Sequence, residues 1–106
     1  MGTQPSEGLG RARGVVRLLN TAGGRVLCLA GAVDVAPVES FVRRYGREPV
    51  RVDGIDAGSV TSLSPSALGL LLDHLEAAER DGRQVALRRS PLVARLLADA
   101  VPGDRP

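Results

Sequence analysis

The chain contains no lysine and no tryptophan, and cysteine, histidine, phenylalanine and tyrosine occur once each in 106 residues. All 14 basic residues are therefore arginine, which excludes every chemistry that needs an amine: Schiff bases, lysine general bases and the lysine of a phosphate-binding loop. With Cys28 alone, an internal disulfide framework and a two-thiol metal site are both excluded, and a reducing, cytoplasmic setting is expected. Cys28 lies in the apolar run from Val26 to Ala30, where a free thiol is expected to act as a small buried hydrophobe. Two aromatic residues cannot build the stacking platforms of single-strand binders. The arginines alternate with Asp and Glu, for a formal charge of +2, so no nucleic-acid surface is indicated. The first 13 residues lack an apolar signal-peptide core, and no segment reaches the roughly 20 apolar residues of a membrane helix. Neither export nor membrane insertion is expected.

What is present suits one globular domain: 43% apolar residues and 25% charged. Residues 1–12, rich in Gly and polar residues, read as a disordered arm, 13–100 as the domain and 101–106 as a flexible tail. Gly14 to Leu19 and Arg25 to Ala30 read as two strands of a hairpin around the turn Asn20 to Gly24. Asp34 precedes a helix with Val38, Phe41, Val42 and Tyr45 on one face and Gly46 at its end. A third strand is expected at about Val50 to Ile55, followed by a loop from Asp56 to Leu63. Ser64-Pro65 pairs an N-cap with a proline at the first helical position, ahead of a stripe of Leu68, Leu71, Leu72 and Leu75 that runs toward Asp81-Gly82. Gln84 to Leu87 reads as a fourth strand, and Ser90-Pro91 repeats the cap device before Leu92, Val93, Leu96 and Leu97. The order β-β-α-β-α-β-α predicts an α/β fold with a mixed, mostly parallel sheet of about four strands and helices packed on it.

Little in this pattern is catalytic. His74, off the leucine stripe and next to Asp73, reads as a surface residue. Asp53 and Asp56 read as the end of a strand and are too few for a metal centre. No glycine spacing matches a nucleotide fingerprint, and no cofactor is expected. A hydrolase pairing Ser66 with His74 would need hydrogen-bond reach between them. The chain thus reads as a non-enzymatic binder. Its function is expected at the loop leading into the helix at Ser64, where free N–H groups and the positive dipole end meet Ser59, Thr61, Ser62, Ser64 and Ser66. Ser66 and Ser64 are candidate phosphoacceptors, because a phosphate in the first turn suits the dipole while changing a docking surface. The plain alternative is that Ser64 only caps the helix.

From about Val15 to Ala98 the pattern resembles the STAS domain of bacterial anti-sigma factor antagonists. Val26 to Asp34 (VLCLAGAVD) looks like the family's second strand with its Gly-x-x-Asp turn, carried by Gly31 and Asp34. Val50 to Asp56 looks like the strand ending in an aspartate. Ser64 to Leu72 (SPSALGLLL) falls where the family has Asp-Ser-Ser-Gly and an apolar helix, and Gly82 to Leu97 looks like the closing strand and helix. The resemblance implies a STAS-like fold and a partner: an anti-sigma factor with a kinase-like ATPase fold, whose capture regulates sigma-factor-dependent transcription. It implies a partner-binding surface of Asp34, Ser62, Ser64, Pro65, Ser66 and Ala67. The family's phosphoserine slot is Pro65 here, its preceding aspartate is Ser64 and its glycine is Ala67, so the usual switch is expected to be lost. The chain stops where the family commonly adds a strand and a helix, and a partner or a homodimer is expected to cover that sheet edge. The alternative within the same fold is an accessory subunit that binds the ATPase of a lipid-transport ABC system.

Overall fold

The first two apolar runs pair as an antiparallel hairpin, β1 (Val15–Thr21) and β2 (Gly24–Val33), in register from Val15 opposite Ala30 to Thr21 opposite Gly24. Thr21 closes the turn: its hydroxyl accepts the Gly23 N–H and donates to the Gly24 carbonyl. The computed structural model describes residues 14–100, so the expected arm and tail lie outside the described residues. Along β2 burial alternates, with Leu27, Leu29 and Val33 buried and Val26, Cys28, Ala30 and Ala32 half-buried on the other face, the period of a strand with one face on a core. Cys28 is thus half-buried on the face away from the core, not inside it.

Three helices follow by one repeated device. Asp34 caps α1 (Val35–Tyr45) by accepting the Val35 N–H at 2.9 Å, and α1 buries Val38 and Phe41. It ends at Gly46, whose φ of 90° is a conformation that suits glycine and whose N–H reaches the Val42 carbonyl. Ser64 caps α2 (Pro65–Arg80) through the Ala67 N–H, with Pro65 at the first position. Ser90 caps α3 (Pro91–Ala100) through the Val93 N–H.

Between the helices run two parallel strands, β3 (Gly54–Leu63) and β4 (Ala86–Arg89), and the sheet order is β1-β2-β3-β4 with only β1 antiparallel. The fold is therefore α/β, with a four-stranded mixed sheet and three helices among the described residues, in the element order expected. Buried side chains from every helix join Leu27, Leu29, Ile55 and Val60 in a single core, so all three helices lie on one face of the sheet.

Two expectations are corrected. The segment Asp56 to Leu63 is no loop: it continues β3 and pairs with β2 as far as Leu63 opposite Val33. Its hydroxyl-rich composition reflects a strand whose outer face meets solvent and which bulges twice against β2, opposite Leu29 and next to Gly31, whose φ is 73°. Asp53 accordingly precedes β3 and Asp56 lies inside it. His74 is buried, with 2% of its surface exposed. The buried face of α2 is Ala67, Leu70, Leu71, His74 and Ala78, of which Ala67, Leu70 and Leu71 join the core, while Leu68, Leu72 and Leu75 only flank it.

Candidate functional site

The parallel pairing of β2 and β3 brings together residues thirty positions apart. Val33 stands opposite Leu63 at the carboxyl ends of the two strands, and the next residue on each strand, Asp34 or Ser64, caps a helix. The Ser64 N–H donates to the Val33 carbonyl at 2.9 Å, tying the two caps side by side. The carboxyl edge of a parallel sheet, with helix N-termini above it, is where α/β folds generally present their sites.

The side chains on this edge are short and uncharged apart from Asp34. From Ala57 to Leu72 the sequence has no ionisable residue. Ser62, Pro65 and Ser66 are exposed, and Ser66 Oγ lies 3.1 Å from Ser64 Oγ, so the two hydroxyls share one hydrogen bond while Ser64 also serves as cap. Neither α1 nor α2 has an acid in its first turn, which leaves both positive dipole ends uncompensated except by Asp34. Val35, 47% exposed, adds an apolar contact point beside Asp34.

Five of the six residues expected at the partner surface thus share one edge, four of them at its surface, with Ser64 half-buried as the cap. Ala67 does not join them: it is fully buried beneath the first turn of α2 and offers no side chain to a partner. Val35 was not legible as a contact residue, because a valine opening a helix reads as core; only its place at N1, above the strands, exposes it.

His74 is removed from Ser66 both by distance and by bonding. Eight residues of helix separate them by about 12 Å along the axis. Its Nε2 accepts the Val50 N–H at 3.0 Å and its Nδ1, therefore the protonated nitrogen, donates to the Leu70 carbonyl at 2.9 Å. Both ring nitrogens are occupied by backbone, and the ring packs edge-on toward Phe41. The Ser66–His74 pair of a hydrolase is not assembled.

Among the described residues no group of three or more His, Cys, Asp or Glu side chains could hold a metal ion, and no helix is long and apolar enough to cross a membrane. The chain matches no protein-family model, and no curated protein or solved structure matches it.

Proposed function

We propose that the chain is a cytoplasmic protein-docking domain of the STAS-like, anti-sigma-factor-antagonist type, which binds an anti-sigma factor with a kinase-like ATPase fold and so regulates sigma-factor-dependent transcription. The observation that carries this reading is the juxtaposition of Asp34 with Ser64, Pro65 and Ser66 on one exposed edge. The two segments that carry the family resemblance most closely are far apart in sequence and adjacent in the fold. In this reading ATP belongs to the partner, and the domain itself contributes shape, the Asp34 carboxylate and the hydroxyls. Pro65 offers no phosphoacceptor, so docking is not switched at the usual position. The exposed Ser66 is the remaining hydroxyl on the first turn that no backbone N–H engages.

The test is an affinity pull-down from the native cell with the natural sequence, Ser66→Glu and Asp34→Ala, partners being identified by mass spectrometry. Recovery of a kinase-like anti-sigma factor by the natural sequence, weakened at least tenfold by both substitutions, is expected. Recovery of an ABC-transporter ATPase in its place would move the domain to the accessory-subunit role.

A further inference from the structure

The helices cover one face of the sheet, and among the described residues nothing covers the other. Cross-strand pairing lays that open face out in rows. The middle row runs Arg17, Cys28, Asp56, Arg88 across β1 to β4. The row toward the hairpin turn runs Leu19, Val26, Gly54, Ala86, and the row on the other side runs Val15, Ala30, Ser59. The face is thus mostly apolar or small, with a positive, a neutral, a negative and a positive side chain across its centre. Two features interrupt its flatness. Leu19 stands proud on β1, 38% exposed. Over Gly54 is a shallow recess of about 180 Å³ lined by Val26, Gly54, Ile55, Asp56, Ala86 and Arg88, open because Gly54 has no side chain.

We infer that this face is a homodimer interface, with a two-fold axis lying along β2 and passing beside Cys28. The argument is self-complementarity. Rotation about an axis along β2 keeps every row in place and exchanges β1 with β3, so β2 faces β2 of the second copy, β1 faces β3, and β3 faces β1. In the middle row each Arg17 then meets an Asp56 of the other copy, twice by symmetry, and the two Cys28 side chains meet at the axis. In the next row each Leu19 descends onto Gly54 of the other copy and fills the recess there. In the third row Val15 covers Ser59. One operation therefore pairs opposite charges and places the exposed leucine over the missing side chain, as an isologous interface requires.

The alternative axis, between β2 and β3, would oppose Arg17 to Arg88 and leave Leu19 over Ala86. The axis along β2 overlaps three strands, β1 to β3, and leaves β4 outside the contact. Three strands about 4.8 Å apart and seven residues of about 3.4 Å make a flat patch on the order of 340 Å² per copy, roughly 700 Å² for both copies, the size of a weak, concentration-dependent association. Two such faces stack as aligned sheets about 10 Å apart.

Charge reversal and the single cysteine give a direct test on the full chain. By analytical ultracentrifugation the natural protein is expected to be a dimer at micromolar to millimolar concentration. Arg17→Glu and Asp56→Arg are each expected to be monomers, because each sets like charges against one another across the axis. Mixed in equal amounts they are expected to reassociate, because in the mixed pair both contacts are again of opposite sign. Leu19→Glu, which leaves every charge pair in place, is also expected to dissociate the dimer. A short ethane-bridged bismaleimide, each of whose double bonds adds one Cys28 S–H, is expected to link two natural chains and not two Arg17→Glu chains. A natural protein that is monomeric throughout would overturn the proposal. So would a dimer that survives Arg17→Glu and Leu19→Glu, or two charge variants that stay apart on mixing while each retains its helical and strand content. The partner-docking edge at Asp34 and Ser66 lies elsewhere, so pull-down and oligomeric state fail independently.

Discussion

His74 and Cys28 show how far a single residue's role depends on its strand or helix face. His74 spends both ring nitrogens on backbone groups, the Val50 N–H and the Leu70 carbonyl. The first bond tethers the segment between α1 and β3 to α2. Replacing the ring by an apolar side chain would leave the Val50 N–H buried without an acceptor, at a cost of about 1–3 kcal/mol. His74→Leu is expected to lower the unfolding free energy by that amount, read as a lower denaturant midpoint with an unchanged slope, and a change below about 0.5 kcal/mol would mean that water reaches the Val50 N–H. For Cys28 the thiol pKa is raised above its ordinary value, chiefly by burial and then by the Asp56 carboxylate, against which the Arg17 guanidinium works weakly. A raised pKa means that the folded state holds the thiol proton more tightly than the unfolded chain. The resulting stability is present below the unfolded thiol's range and is lost as pH rises through the folded value. Alkylation by iodoacetamide is therefore expected to reach half its limiting rate at a higher pH in the folded protein than in urea. Arg17→Ala should move that midpoint further up. Equal midpoints folded and unfolded would contradict the burial argument.

At the scale of elements, the helix starts were legible and one strand was not. Ser64-Pro65 and Ser90-Pro91 announce helices locally, because a cap acts on N–H groups two or three residues away, and both caps are found as read, while Asp34, read only as preceding its helix, caps it through the next residue's N–H. β3 could not be read in this way. Its second half, Gly58 to Leu63, has a turn-like composition and owes its extended form to pairing with β2, 28 or more residues distant. The same limit hid part of the buried face of α2: Leu71 stands on both stripes, but leucines at 68, 72 and 75 outweigh two alanines and a histidine in any hydrophobic count, and Ala67, His74 and Ala78 are nonetheless the buried ones. Capping can be tested against exposure in one comparison. Ser64→Ala removes the acceptor of the Ala67 N–H and is expected to cost about 1 kcal/mol, and Ser66→Ala, which removes only a shared surface hydroxyl, about nothing. Thermal unfolding of the two variants decides it. An equal loss for both would mean that the Ser64–Ser66 hydroxyl pair, and not the cap, holds the first turn.

On the scale of the whole molecule, one core beneath one face of a mixed sheet implies a ranking of local stabilities. β2 and β3 are the inner strands. They pair with each other over most of their length and supply Leu27, Leu29, Val33, Ile55, Ala57 and Val60 to the core. β4 is an edge of four residues, none of them buried, held to β3 by the pairs from Gly54–Ala86 to Ala57–Arg89 and at its far end by the Ser90 N–H on the Ala57 carbonyl. At the other end of the sheet the Asp53 carboxylate accepts the Arg25 N–H, and Arg83 donates to the Val52 carbonyl. The β4–α3 hairpin-like unit therefore depends on the centre, but the centre does not depend on it to the same degree. Native-state amide exchange is expected to be slowest at Leu27, Leu29, Ile55 and Ala57, in the regime of global unfolding, and faster at Leu87 and Arg88 through a sub-global opening of β4 and α3. Leu97→Ala, which truncates a side chain buried on α3, should speed exchange in β4 and α3 by more than it speeds exchange in β2. If β4 amides instead exchange together with those of β2 in both proteins, the chain opens as one unit, and the edge strand is as integral to the fold as the strands at its centre.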